Sequence, residues 1–127
     1  MCGVQYELVS TQWVLVYDAR PWSLNQERTK HWSWRASRTE EWVDAFILLA
    51  KEAKVPAMTR IGVTVHFQMN GQVQDVCNGY PAAKAAIDGI VQAGVIPDDT
   101  PEHLAWVKFV APTYSKQARA TLIIEPA

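Results

Sequence analysis

Cysteine is scarce in this chain: Cys2 and Cys77 are the whole supply, and they form no CxxC or zinc-ligand pattern. A Cys2–Cys77 disulfide is the one internal bridge available, and a reducing compartment disfavours it. Long apolar runs are missing as well. None reaches the roughly 18 residues a membrane span needs, so no membrane partner is expected. Residues Met1 to Tyr6 carry neither the basic stretch nor the apolar core of a secretory signal, which makes the cytoplasm the expected location. Repeats, low-complexity tracts and long linkers are absent. So is an excess of positive charge: the formal net charge is -1, which argues against strong non-specific binding to nucleic acid. No GxSxG, phosphate-binding loop or dinucleotide fingerprint is present. The 127 residues suit one domain, since two independent cores are hard to build at this length. The expected organisation is a single domain over 1–127, with 1–11 a flexible N-terminal stretch.

What is there alternates in kind along the chain. Gln12 to Asp18 is rich in β-branched and aromatic residues and predicts a strand, ended by Ala19-Arg20-Pro21. Residues 21–35 show no clear period and read as an ordered loop passing into a helix. Ser37-x-x-Glu40 matches a capping box at or near that helix start. Trp42, Phe46, Leu49 and Ala53 then form a helical stripe, which Pro56 closes. Ile47 and Leu48 widen the stripe past one face and suggest burial against a second subunit. Ile61, Val63, Val65, Phe67 and Met69 alternate with Gly62, Thr64, His66 and Gln68, a strand with one buried face. Asn70-Gly71 is a turn signal. Pro81 to Ala93 predicts a helix stopped by Gly94. Further strands are expected around Ala105–Phe109 and Ala120–Glu125. The fold class is therefore α/β (α+β): a mixed sheet with two main helices packed on it.

Charge is polarised along the sequence. Arg20, Arg28, Lys30, Arg35 and Arg38 fall in one stretch with His31, against a single acid, Glu27. Trp22, Trp32 and Trp34 interleave with them. Aromatic stacking combined with phosphate contact is how single-stranded or branched nucleic acid is held, so Arg28, Lys30, His31, Arg35 and Arg38 are candidate DNA contacts. Packed tryptophans beside solvated bases are the alternative.

The chemistry-bearing segment is residues 74–104. Asp75 precedes the second helix, Lys84 lies in its first turns, and Asp98 and Asp99 follow it. A helix of this length is roughly 20 Å long. The five steps from Gly94 to Asp99 return up to roughly 17 Å, which lets Asp99 come back towards Asp75, with Lys84 in reach. Two or three carboxylates with a lysine make a workable magnesium site for phosphodiester cleavage. A turn at Asp98-Asp99 and a solvated lysine are the alternative. His103, next to the acid pair, is a candidate near the metal. His66 is expected to be structural or exposed.

This segment resembles the RusA family of Holliday-junction resolvases, small bacterial and phage endodeoxyribonucleases. The family pattern is roughly D-x-D-N, then a lysine, then K-A-A-x-D-G-L-x-x-A-G-x-x-x-D-D. The matching text is Asp75-Val76-Cys77-Asn78, Lys84-Ala85-Ala86-Ile87-Asp88-Gly89-Ile90, Ala93-Gly94 and Asp98-Asp99. The longer gap around Pro81 is similar to that of phage and actinobacterial relatives, as are Leu24-Asn25, His31-Trp32 and Trp42. The resemblance covers residues 12–126. It implies a RusA-like fold and magnesium-dependent (or manganese-dependent) cleavage of branched DNA, four-way junctions above all, in recombination and repair. It also implies a homodimer in the cytoplasm of a bacterial or phage-infected cell. Asp75 and Asp99 would bind the metal, with Asp98 in support, and Lys84 would be the catalytic lysine. Cys77 departs from the pattern, standing where the second aspartate belongs. A thiol is a poor magnesium ligand, being soft and mostly protonated at neutral pH. The readings open at Cys77 are compensation by Asp98, a different alignment, a softer metal such as zinc or manganese, a buried small hydrophobe, or weak or lost catalysis. In the last case the fold would hold branched DNA or a host protein without cutting.

Overall fold

The alternating stretch at Ile61–Met69 becomes strand β2 in the computed structural model of this chain, which describes residues 11–127. Its five odd-numbered residues are 0–3% exposed, and the strand lies inside the sheet. The other elements are β1 (Trp13–Tyr17), α1 (Leu24–Thr29), α2 (Trp32–Glu52), α3 (Tyr80–Gln92), β3 (Leu104–Phe109), β4 (Thr113–Tyr114) and β5 (Arg119–Pro126). The strand order is β1-β5-β2-β3, with β4 pairing the far end of β2. β2 runs parallel to β3 and β4 and antiparallel to β5, which is antiparallel to β1. The sheet is thus mixed, as the sequence predicts. Of the flexible stretch expected at 1–11, all but Thr11 lies outside the described residues, as does Cys2 of the Cys2–Cys77 pairing.

One face of the sheet meets the helices. Leu15 from β1, the odd residues of β2, and Ala120, Leu122 and Ile124 from β5 form a core with Trp42, Phe46 and Ala50 of α2. Helix α3 buries Ala82, Ala83, Ala85, Ala86, Ile87, Gly89 and Ile90 in the same core. These are mostly small side chains, so α3 can approach closely. A Cβ on Gly89 would stand 2.7 Å from the Val43 carbonyl oxygen and 2.8 Å from the Phe46 Cβ. Among the described residues no helix covers the opposite face of the sheet, which leaves Val14, Val16 and Trp106 exposed.

Helix α1 lies in the stretch 21–35 that the sequence reads as a loop, and the helix-start signal differs with it. The capping box is at Ser23, not Ser37. Ser23 accepts from the Gln26 N–H (3.1 Å), and the Gln26 side chain accepts from the Ser23 N–H (3.0 Å), which starts α1. Ser37 lies inside α2, whose cap is His31. Ser23-x-x-Gln26 carries the same pattern as Ser37-x-x-Glu40, so pattern alone could not choose between them. Helix α2 ends at Glu52, before Pro56, because Lys54 takes φ 56° and the Val55 N–H turns back to the Ala50 carbonyl. Gly94, at φ 91°, ends α3 in the same way, as expected. Asn70-Gly71 is a bend leaving β2 for a loop that leads to α3. The two-residue β4 has no counterpart in the sequence reading.

Gly89→Ala is expected to lower stability by about 1–3 kcal/mol through overpacking against the α2 backbone. That outweighs the roughly 1 kcal/mol helix-propensity advantage of alanine. Urea unfolding midpoints of the two proteins check this, and an unchanged or higher midpoint for the variant contradicts it.

Candidate functional site

The Lys84 side chain is the centre of the acidic segment. Spacing of four along α3 puts Asp88 one turn below it, and Nζ donates to Asp88 Oδ1 at 2.7 Å. The tight turn at Gly94 and the buried Val95-Ile96 bring the chain back along the helix, and Nζ also donates to Asp99 Oδ2 at 2.8 Å. Lysine and both acids remain about two-fifths exposed. Burial lowers the Lys84 pKa, but the hydrogen bonds to Asp88 and then Asp99 outweigh it and leave the group raised above its ordinary value. The ammonium therefore stays charged at neutral pH, which suits it to holding a phosphate rather than removing a proton. The hydrogen bond from Lys84, ahead of the partial burial that opposes it, holds the Asp99 carboxyl below its ordinary value.

The other members of the motif go elsewhere. Asp98 turns away to accept from the Thr100 hydroxyl and N–H, which hold its carboxyl below the ordinary value. Asp75 is exposed and heads a turn in which the Asn78 N–H donates to its carbonyl at 3.0 Å. Asn78 is a clamp: the Leu24 N–H donates to its backbone oxygen (2.9 Å) and to its side-chain Oδ1 (3.1 Å), tying this turn to the start of α1. Cys77 is a free, exposed thiol, so the buried-hydrophobe reading is corrected. The Asp75 side opens on a polar cavity of about 320 Å³ shared with Arg20, Ser23, Asn25, Gln72, Gln74 and Asn78. Asp99 opens on a different cavity, with Tyr80, Lys84 and Phe109. The fold thus joins Asp99 to Lys84 and leaves Asp75 with Arg20. His103 is held by Thr59, its Nδ1 2.7 Å from that carbonyl oxygen, and its Nε2 faces Glu102 at 3.3 Å. His66 Nε2 meets the Thr113 hydroxyl at 3.1 Å, a structural contact between β2 and β4.

This donor set does not make a preformed metal site. Among the described residues no group of three or more His, Cys, Asp or Glu stands together as one. Asp98 is committed to Thr100, and Asp99 to Lys84.

The basic stretch divides too. Trp22 is 2% exposed and donates its indole N–H to Glu27, so it is a core residue and is removed from the stacking set. Trp34 is half-buried, with the Lys30 ammonium 5.6 Å and the Arg38 guanidinium 5.5 Å from its ring centroid. Arg38 also pairs with Glu41 at 3.2 Å, and Arg35 donates to the Glu27 carbonyl at 3.4 Å. Arg28, Lys30 and His31 are exposed at the α1–α2 corner, beside Trp32, which is 64% exposed. Sequence reasoning passed over Arg20 as a site residue. Its signal, an arginine three residues beyond β1 and just before Pro21, is too common to single out.

No helix of the described residues is long and apolar enough to cross a membrane. No model of a known protein family matches this chain, and no curated protein does.

Lys84→Met is expected to raise the Asp99 carboxyl towards its ordinary value, read by NMR titration of that side chain. A depressed carboxyl stabilises the fold above its unfolded value and loses that contribution as pH falls through the folded one. The wild type should therefore exceed the variant by at most about 1 kcal/mol near neutral pH, given the exposure of the pair. The gap should close in acid. An unmoved Asp99 titration contradicts the assignment.

Proposed function

We propose that this protein is a RusA-like, structure-specific endodeoxyribonuclease that cuts branched DNA, four-way junctions above all, as a magnesium-dependent homodimer. The observation that carries this reading is the Lys84–Asp99 contact at 2.8 Å, which joins two residues of the resembled motif 15 positions apart in the chain. In this reading Lys84 trades a carboxylate for the DNA phosphate and steadies the charge that develops on it. A divalent ion would be held by Asp99, released as Lys84 turns to the phosphate, and would supply phosphate polarisation and a more acidic water. Arg28, Lys30 and His31 hold the backbone at the α1–α2 corner, and Trp32 offers a ring on which an unpaired base stacks. Paired nicks across a four-way junction require two sites related by a two-fold axis, which an isologous dimer supplies. Leu48 on α2, and Val14, Val16 and Trp106 on one sheet face, are among the exposed apolar residues available to it.

A second reading is favoured by Cys77, an exposed thiol where the resembled pattern has an aspartate. It is the same domain holding branched DNA, or a host protein, without cutting.

The deciding measurement is nicking of a synthetic four-way junction with magnesium. Symmetric nicks are expected, falling by about 10²-fold or more in Lys84→Met, Asp75→Asn and Asp99→Asn. Cys77→Asp is expected to raise the rate, because it adds a hard oxygen where the thiol is soft. Tight junction binding with no nicks from the wild type or Cys77→Asp selects the second reading. Trp32→Ala is expected to weaken binding of single-stranded arms by about 1–3 kcal/mol. Fluorescence anisotropy reads this, and an unchanged affinity removes Trp32 from the interface.

A further inference from the structure

We propose that the Arg20 cavity is a subsite for one nucleotide of the DNA strand, its phosphate on Arg20 and its base edge on Asn25, Gln74 and Asn78. This rests on the DNA reading above and adds to it a second anchoring point away from Lys84. Three features of the cavity point to that ligand class. First, Arg20 faces no carboxylate within pairing distance among the described residues. Its Nη2 donates to the Gln72 carbonyl at 3.0 Å and its Nη1 reaches Asn70 Oδ1 at 3.4 Å, which fixes the guanidinium over the 70–72 bend with donors to spare. Second, half of the eight lining residues carry side-chain amides, and the walls are not a cluster of one sign. Asn25, Gln72, Gln74 and Asn78 line it with one guanidinium and one carboxylate, Asp75. Such a set offers donors and acceptors together, as the edge of a base demands, whereas a bare phosphate uses donors alone. Third, Gln74 lines the cavity from the 72–78 side, and a side-chain amide brings both a donor group and an acceptor to that wall. The cavity, about 320 Å³, is of the size that small-molecule sites take. Its two sides, residues 20–25 and 72–78, are locked together by the paired hydrogen bonds from Leu24 to Asn78, so the subsite is formed before the strand arrives.

The test uses the whole chain, with the four deoxynucleoside 5′-monophosphates and inorganic phosphate as separate probes, followed by NMR of the side-chain amides. A nucleotide is expected to move the Asn25, Gln74 and Asn78 signals, to bind at least about tenfold more tightly than phosphate, and to bind unequally among the four bases. Arg20→Met should weaken it about tenfold or more, with Arg20→Lys between, since lysine keeps the charge and loses the fork. Asn25→Ala, an exposed position whose side chain makes no hydrogen bond among the described residues, should flatten the base preference and keeps the test open if Arg20→Met fails to fold. Phosphate matching every nucleotide, or nucleotides that leave the three amides unmoved, overturns the subsite. Junction nicking is followed on the same samples. Its absence alongside nucleotide binding counts against the nuclease reading alone. Nicking that survives Arg20→Met and Asn25→Ala with rate and base preference unchanged counts against the subsite alone.

Discussion

Helix α3 lies close against α2 because Gly89 has no side chain to hold it off, and the rest of the site hangs on that approach. With Gly89 against the Val43 carbonyl and Phe46, the alanine face of α3 fills the space over the sheet, leaving Lys84 and Asp88 at its rim. A larger residue would lift the helix and shift Lys84 relative to the returning chain at Asp99. Part of the K-A-A-x-D-G pattern is therefore architecture. The alanines and the glycine set the packing distance, and Asp88 steadies the lysine from one turn away. A motif resemblance counts such residues equally with the reactive ones, although their physical tasks differ.

A similar division runs through the aromatic and basic stretch. Trp22, with its edge-to-face contact to Trp42 at 5.7 Å and its hydrogen bond to Glu27, anchors the turn between β1 and α1. Trp34 is occupied by its cations. Trp32 alone of the three keeps an open ring. An exposed tryptophan among exposed bases is what distinguishes a stacking surface from a packed loop.

Asn78 gives the loop before α3 its definition. One N–H, that of Leu24, is shared between its backbone and side-chain oxygens, so the Asp75 turn and the start of α1 move as one unit. That linkage places Arg20 and Asp75, 55 positions apart, around one cavity. Asp99 lines another cavity with Lys84, so the acids of the motif open on two cavities rather than forming one ring.

By itself the sequence determined the elements with strong periodicity. β2 appears over Ile61–Met69, α3 within a residue of its predicted ends, and the mixed sheet with two main helices as expected. Alternation and helical stripes report burial directly, and Gly94 supplies the positive φ that stops a helix. The meeting of Lys84 with Asp99 was also within reach, because chain length and helix rise bound it. Tertiary structure decided what local pattern leaves degenerate. Ser23 and Ser37 offer the same cap, and the packing of Trp22 selects the first. Trp22, Trp32 and Trp34 look alike in sequence, and burial sorts them. Arg20 and Asp75 gain a common cavity only when α1 docks on the 75–79 turn. Hydrogen bonds between residues far apart in the chain depend on loop paths, and loop paths follow from the summed packing of the core, which no short window of sequence contains.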